Sequence, residues 1–331
     1  MDQANISVKY FIISGISDVP MLHVIIFFLV LLIYLLTLSG NLTILLLVCL
    51  DPQLHTPMYF FLCNLSILDI SCSTNNLNNV LISFLSGDNT ISVLRCIIQI
   101  FIFISLTCAF TSDELLILTA MSYDRYVAIC NPLRYSDIMS KKVCSLLACA
   151  CWVMGFISTI PSLLEISSFT CYTSLEVNHF FCDIMPVMKL TCNDTTVLEL
   201  YAFIVGLLFA TFTPFVLTFI SYTFIIHAIL RIRSSIGRRK AFYTCSSHLT
   251  VVNLLYGTLI LYITLCYQYF RPISSVSLDS NKLYSLFNTV AVPILNPLIY
   301  SLKNKDVILA MKRRLRCFTT RVKEEKMIKW I

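Results

Sequence analysis

Acidic side chains inside apolar stretches are the residues of this chain best able to do chemistry. Asp124 and Arg125 form an adjacent acid–base pair where a long apolar run stops, and Asp69 and Glu114 lie inside such runs. A charge at the centre of a bilayer costs about 2.5–3.5 kcal/mol even on lenient insertion scales, so acids kept there are functional candidates. A charged pair at the end of an apolar run costs little free energy, because it can reach water. That placement suits a switch.

One face of a helix links this pair to a set of hydroxyl groups. Its members are spaced alternately by four and three residues: Thr107, Thr111, Glu114, Leu118, Met121 and Arg125. The face extends over about five turns, or roughly 27 Å. It indicates a ligand site coupled through a polar core to an inner surface. The alternative for the hydroxyl groups is hydrogen bonding between packed helices, but Glu114 favours a function.

Asp69 and Glu114 also raise the question of a bound cation. Two ionised carboxylates at similar depth repel each other, so either one takes a proton or a cation lies between them. One interpretation is a structural sodium ion held by Asp69 and Glu114, and the other is a polar pocket filled with water. We expect no other cofactor.

The composition shows which elements must position these residues. Of 331 residues, 57% are hydrophobic and 13% are charged, and this charged fraction is about half that of soluble domains. A helix crosses the hydrocarbon core of a bilayer with about 20 apolar residues. Seven segments qualify, near 23–50, 58–84, 96–123, 142–164, 197–230, 241–267 and 284–302. The predicted fold class is an all-α membrane protein, a seven-transmembrane helix bundle.

The basic residues predict how the bundle is oriented. Of the 24 Lys and Arg residues, 19 fall in one set of loops and the tail, and 5 fall on the other side. The basic side should be cytoplasmic, which places an extracellular N-terminus at 1–22, the helix bundle at 23–302 and a cytoplasmic tail at 303–331. The net charge of +6 therefore reflects membrane topology, and we expect no nucleic-acid partner.

The tail predicts a short amphipathic eighth helix. Val307, Ile308, Met311 and Leu315 share one helical face beside a basic one, a pattern that suits a helix lying on anionic membrane lipids. Cys317 follows, and palmitoylation and an unmodified thiol are equally consistent with its position.

The outer side carries cysteines and glycosylation acceptors. Four cysteines fall there, namely Cys96, Cys171, Cys182 and Cys192. Disulfides persist in that compartment, but four cysteines allow three pairings and the spacing does not choose among them. Asn5 and Asn193 begin Asn-X-Ser/Thr sequences on the same side, so both are candidate glycosylation sites.

The last span contains a proline that removes a backbone donor. Pro297 should bend the helix, and Asn296 can satisfy the backbone groups that the bend frees. A kinked helix with a polar hinge is a candidate moving part, although a static kink is also common in membrane proteins.

Several of these motifs resemble those of a known family. Asp124-Arg125-Tyr126 and Asn296-Pro297-Leu-Ile-Tyr300 are similar to the signatures of rhodopsin-like G-protein-coupled receptors. Further stretches, in order along nearly the whole chain, make it resemble the olfactory (odorant) receptor family. They are Gly40-Asn41, Leu54–Leu62, Met121–Cys130, Ser221-Tyr222, Lys240–His248 and Pro293–Asn304.

The resemblance implies roles for the residues that match. It implies disulfides between Cys96 and Cys182 and between Cys171 and Cys192. It also implies an activation switch in which Asp124 holds Arg125 at rest and releases it toward Tyr222 and Tyr300. The remaining members of the switch are Tyr126, His248, which locks the inner end of span six, Asn296 and Pro297.

The resemblance also implies an odorant pocket with Tyr256 at its floor. The other matching positions are Thr107, Cys108, Thr111, Ser112, Gly206, Leu259, Ile260, Ile263 and Thr289. Their mixture of apolar and hydroxyl groups suits a small, weakly polar molecule. Because no basic residue is among them, a carboxylate ligand is disfavoured.

The chain departs from the family pattern between Cys96 and Glu114. This interval is about four residues longer than usual, which corresponds to about one helical turn, or roughly 6 Å. Three outcomes are open: an added turn, a bulge in the helix, or a shifted pairing of Cys96. The pocket positions from Thr107 to Ser112 depend on which one holds.

The predicted function is that of an odorant receptor in the plasma membrane. It would bind a small organic odorant and activate a stimulatory heterotrimeric G protein, raising cyclic AMP. The alternatives are a rhodopsin-like receptor for an endogenous small ligand and a transporter, since broken helices and buried acids also occur in transporters. We do not expect an enzyme, because no nucleophile–base pair or metal-ligand spacing stands out.

Overall fold

The computed structural model describes residues 9–13, 20–86, 89–169, 171–177, 179, 182, 184–205, 211–269, 294–299, 304 and 306–316. Helices dominate them, as lipid requires, because a helix satisfies its own backbone hydrogen bonds. In chain order the elements are β1 (Tyr10–Ile13), α1 (Pro20–Leu50), a 3-10 turn (Pro52–Leu54), α2 (Pro57–Ser86), β2 (Thr90–Ser92), α3 (Val93–Cys130), a second 3-10 turn (Pro132–Arg134), α4 (Tyr135–Ile138), α5 (Lys141–Ser167), β3 (Glu176–Val177), α6 (Ile184–Leu190), α7 (Thr196–Ile204), α8 (Thr213–Arg231), α9 (Ser235–Tyr269), α10 (294–299) and α11 (306–316).

The first six predicted spans are confirmed as helices. The first four correspond to α1, α2, α3 and α5, the fifth to α7 with α8, and the sixth to α9. By length and composition alone, α1, α5 and α8 contain stretches able to cross a membrane. Within the seventh predicted span the structure describes α10. The predicted eighth helix is confirmed as α11.

Helix α3 continues past both ends of the predicted apolar span near 96–123. Its outer end is capped by Ser92, whose hydroxyl accepts a hydrogen bond from the Arg95 amide at 3.2 Å. From there the helix continues unbroken to Cys130, so it includes Arg125, as the predicted helical face requires. Hydropathy falls at Asp124, but a charged residue ends an apolar stretch without ending a helix.

The outer part of α3 shows which of the three outcomes holds for the lengthened interval between Cys96 and Glu114. The helix contains no bulge from Val93 onward, and Cys96 is bonded to Cys182. The additional residues therefore form about one more helical turn. They lengthen α3 without changing its disulfide partner.

The connection between the fifth and sixth spans is shorter than predicted. The sequence suggested a loop from Arg231 to Lys240, whereas α9 begins at Ser235 and leaves only residues 232–234 between the helices. Arg and Lys are good helix formers. The basic residues that end the apolar stretch therefore continue the helix into water.

The long helix α3 lies at the centre of the bundle, packed against α2, α5, α8 and α9. The main core cluster joins residues of α1, α2, α3, α5, α9 and α11, including Leu65 and Leu118. Gly40 of α1 allows a close approach to α10, because an added Cβ there would lie 3.1 Å from Pro297 Cγ. The segment that contains Pro297 therefore packs directly against the backbone of α1.

A small sheet covers the outer end of the bundle. Strand β1 is its central strand, antiparallel to β2 and parallel to β3. Phe11 of β1 is fully buried in a second apolar cluster together with Cys96, Ile100 and Cys182. We call this outer cluster, with the sheet above it, the cap. The sequence analysis did not predict a strand at residues 10–13.

Candidate functional site

The acid–base pair of Asp124 and Arg125 lies at the inner end of α3, where the two side chains bind each other. Asp124 is fully buried, and Arg125 donates to its Oδ2 atom from Nε at 3.0 Å and from an Nη atom at 2.7 Å. The other carboxylate oxygen accepts a hydrogen bond of 2.7 Å from the Tyr135 hydroxyl. Both oxygens are therefore occupied, and Arg125 is held on its own helix.

Tyr135 is a member of the site that the sequence analysis missed. The chain leaves α3 through a 3-10 turn that starts at Pro132, and this turn brings α4 back under the helix end. Burial and the adjacent Asp124 carboxylate both raise the pKa of Tyr135. Its hydroxyl therefore stays protonated and continues to donate.

A second pair lies between α8 and α9. The Tyr222 hydroxyl forms a hydrogen bond with His248 Nδ1, the two rings stack with centroids 5.8 Å apart, and both side chains are buried. Tyr126 of α3 packs against the apolar cluster that contains Tyr222, and its ring centroid lies 5.9 Å from that of Phe224. Tyr222 is thus engaged with His248 in this structure, while Arg125 is engaged with Asp124.

The polar centre of the bundle contains the predicted intramembrane acid. Asp69 of α2 is fully buried, and its two oxygens lie 3.5 and 3.4 Å from the Asn296 amide nitrogen of α10. The structure thus brings together two polar residues that are 227 positions apart in the chain. The side chain of Glu114, the second acid, lies outside the described residues.

Tyr256 lies on α9 at the level where α3 and α8 meet. Its ring packs edge-to-face on Phe215 with centroids 5.2 Å apart, and the Thr218 hydroxyl of α8 is a neighbour of its own buried hydroxyl. Thr218 in turn shares a hydrogen bond of 3.0 Å with Thr119 of α3. Hydroxyl groups from three helices therefore meet at this level, as the floor of a ligand site would require.

The other predicted pocket positions are only partly described. The backbones of Thr107, Cys108, Thr111 and Ser112 are in α3, and those of Leu259, Ile260 and Ile263 are in α9. The side chains of these residues lie outside the described residues, as do Gly206, Thr289 and the switch residue Tyr300 in full. Their pocket and switch roles stay predictions.

Both disulfides that the resemblance implied are present. Cys96 is bonded to Cys182 and Cys171 to Cys192. Asn193 is exposed next to the second disulfide, and its Oδ1 accepts a hydrogen bond of 2.9 Å from Thr191. Its glycosylation stays a prediction, and Asn5 lies outside the described residues.

Two contacts that fasten α11 to the inner end were also missed. Arg313 donates to the Asp51 carboxylate at 2.6 and 3.0 Å, and the Tyr59 hydroxyl donates to Asn304 at 3.1 Å and to Asp306 at 3.3 Å. The Arg313 hydrogen bond lowers the pKa of Asp51. An Asp-Pro turn signal marks Asp51 in the sequence, but nothing local connects it to a residue so distant in the chain.

Comparison with known proteins gives a consistent result. A family model described as olfactory receptor matches residues 30–317. The chain is similar to olfactory receptor 5AR1 of Mus musculus, with 45% identity over 95% of this chain and 98% of the relative. It is also similar to olfactory receptor 8B12 of Homo sapiens, with 45% identity and the same coverage.

Proposed function

Because this chain belongs to the olfactory receptor family, we propose that it binds a small organic odorant inside the helix bundle and activates a stimulatory heterotrimeric G protein. Cyclic AMP would rise as a result. The observation that carries the proposal is the full-length match, which includes both the bundle and the pair at Asp124 and Arg125. As a member of this family the chain is a membrane protein and not an enzyme.

The closed inner end supports a resting state that a ligand could shift. Arg125 is held by Asp124, with Tyr135 on the same carboxylate, and Tyr222 is held by His248. Activation would exchange these partners, freeing Arg125 to meet Tyr222. A ligand drives such a shift only by binding the active state more tightly than the resting one, and each tenfold preference is worth about 1.4 kcal/mol.

Exposed apolar side chains at the inner end support a docking surface for the G protein. Leu133, which follows α3, is 96% exposed, and Ile236, at the start of α9, is 80% exposed. Arg134 and Arg231 are exposed beside them. Apolar groups at the polar end of a membrane protein gain nothing from lipid, so a protein partner is the better explanation.

We further propose that the receptor lies in the plasma membrane with its N-terminus outside and a glycan on Asn193. The distribution of Lys and Arg supports this orientation, as does the position of both disulfides at the opposite end from the basic helix α11. In α11, Val307 and Ala310 are buried against the bundle, whereas Leu309 and Leu315 are exposed. The exposed leucines and nearby basic residues suit contact with anionic membrane lipids.

The polar centre fits a sodium ion, and we propose one there. Hard cations prefer oxygen ligands. Ser66 and Ser73 share the α2 face of Asp69, and their buried hydroxyl oxygens have no hydrogen-bond partner among the described residues. Asp69 and Glu114 would hold the ion, which would stabilise the state it binds. Exchanging sodium for N-methylglucamine should then lower the melting temperature of the wild type but not of Asp69→Asn, and equal responses in both proteins would oppose the site.

The central test measures cyclic AMP in cells that carry the full chain to the surface, with a panel of odorants. Arg125→Ala should abolish the response of the wild type to its agonists without loss of surface expression. Arg95→Ala is the matched control, because Arg95 is exposed at the outer end of the same helix. A normal response in Arg125→Ala would overturn the proposed switch.

A further inference from the structure

Among the residues that the structure describes, two buried polar groups in the cap have no hydrogen-bond partner. The side chain of Gln99 in α3 is 5% exposed, and its amide nitrogen makes no hydrogen bond. The hydroxyl of Tyr172, between α5 and β3, is likewise buried without a partner. Such groups are rare in folded proteins, since burial removes water and nothing replaces it, and each one calls for an explanation.

From these two groups we propose an outer polar subsite for the odorant, in which Gln99 and Tyr172 donate hydrogen bonds to an acceptor oxygen of the ligand. The inference rests on the proposed function and adds to it the chemical class of ligand. Neither residue belongs to the pocket positions that the sequence indicated.

Helix α3 points Gln99 into the cap. Cys96, Gln99 and Ile100 are spaced by three and four residues, so they share one face of the helix. Cys96 and Ile100 belong to the outer cluster and are fully buried. Gln99 therefore lies about one turn beneath the disulfide that ties Cys182 to α3.

Tyr172 is fixed by its neighbours and cannot easily turn its hydroxyl toward another partner. Its ring packs edge-to-face on Phe11 with centroids 5.0 Å apart. Its backbone pairs with Thr191, and the adjacent Cys171 is bonded to Cys192. Burial raises the pKa of Tyr172, so the hydroxyl keeps its proton for donation.

The chemistry of the two groups selects the ligand. An amide nitrogen only donates, while a tyrosine hydroxyl donates or accepts. The complementary atom is therefore an acceptor oxygen, as in a ketone, an ester or an ether. The surrounding side chains, such as Phe11, Ile100 and Val177, are apolar, so the rest of the molecule should be hydrocarbon.

The depth of the subsite is compatible with the predicted pocket. Gln99 and Thr107 are eight residues apart on one continuous helix, which corresponds to about 12 Å. A medium-chain odorant could place its oxygen at Gln99 and extend its hydrocarbon part toward Thr107. The additional turn of α3 lies between Cys96 and Glu114, a range that includes both residues.

The test compares a panel of medium-chain ketones and esters with alkanes of equal length. Gln99→Leu removes the donor at similar volume, and Tyr172→Phe removes only the hydroxyl and keeps the contact with Phe11. For ketone or ester agonists, Gln99→Leu should raise the half-maximal concentration by roughly tenfold, and Tyr172→Phe by about threefold. Tyr34→Phe is the matched control, because its hydroxyl already has a partner in Thr74.

Thermal stability separates a ligand contact from a structural role. Replacing an unpartnered buried donor removes a desolvation cost, so Gln99→Leu should melt no lower than the wild type without ligand, yet gain less stability from a ketone. Unchanged agonist potency in both variants would overturn the subsite. The same would follow if ketones raised the melting temperature of Gln99→Leu as much as that of the wild type. If the wild type answered no panel member with cyclic AMP, the proposed signalling function would fail, and the ligand-induced shift in melting temperature would still decide the subsite.

Discussion

The outer and inner ends of the bundle are held together by different kinds of contact. At the outer end two disulfides, a three-stranded sheet and an apolar cluster fasten the cap to α3. At the inner end the contacts are ion pairs and side-chain hydrogen bonds, such as Arg125 with Asp124 and Arg313 with Asp51.

The difference matters because the two kinds of contact exchange at very different rates. Uncatalysed disulfide rearrangement takes minutes to hours, whereas conformational switching takes microseconds to seconds. The cap can therefore hold a fixed shape around a ligand. The inner end can change partners each time the receptor is activated.

Removing the covalent contact of the cap should have the largest effect. The chain-entropy model gives about 4.6 kcal/mol for a loop closed over 86 residues and about 3.3 kcal/mol for one closed over 21. Cys182→Ser should therefore lower surface expression and melting temperature more than Cys192→Ser. Burial acts in the same direction, since Cys182 is fully buried and Cys192 is exposed. Equal losses would mean that the cap depends on its apolar packing more than on its disulfides.

Breaking the inner pair should have an intermediate effect, on signalling more than on folding. Asp124→Asn keeps the side-chain shape but removes the charge that holds Arg125, and charged hydrogen bonds contribute about 1.5–3 kcal/mol. Basal cyclic AMP should rise roughly tenfold at unchanged surface expression. Tyr135→Phe removes only one hydrogen bond to the same carboxylate, so its basal activity should rise less. Basal activity at the wild-type level in Asp124→Asn would show that Arg125 is held by something other than its neighbour.

The smallest effect should come from the pair that fastens α11, and it should depend on pH. Because Arg313 lowers the pKa of Asp51 in the folded protein, the pair stabilises the fold above the unfolded pKa of about 3.9 and is lost as the pH falls through the lowered value. The melting temperature of Asp51→Asn should thus lie slightly below the wild type at neutral pH. The two should converge only when the pH has fallen below the lowered pKa of Asp51. Arg313→Gln serves as the partner control, and a difference that persists in acid would contradict the ion pair.

The sequence predicted the helices well and the contacts between distant segments poorly. Hydropathy located the spans because the bilayer imposes one length on all of them. It misplaced the start of α9, since hydropathy reports where lipid ends and not where a helix ends. The pairing of the four cysteines in the cap was predicted from the family resemblance, because spacing alone left three pairings open.

The inner site shows why the remaining contacts were out of reach. The pair at Asp124 and Arg125 is visible because its members are adjacent in the chain. Tyr135 needed the turn at Pro132 to bring it beneath the helix end. Asp51 and Arg313 meet only after the whole bundle has formed, and no local pattern in either segment predicts contact with the other.

The position of β1 has a consequence for how the receptor is made. Residues 10–13 are synthesised before residues 90–92 and 176–177, with which they pair, and these partners emerge only after two and five helices, respectively. Such long-range pairing forms late, because its loop-closure entropy must be met before the contacts form. The beginning of the chain must therefore wait, exposed, until α5 has been inserted, and a bulky tag fused close to Lys9 would obstruct the final closure of the receptor.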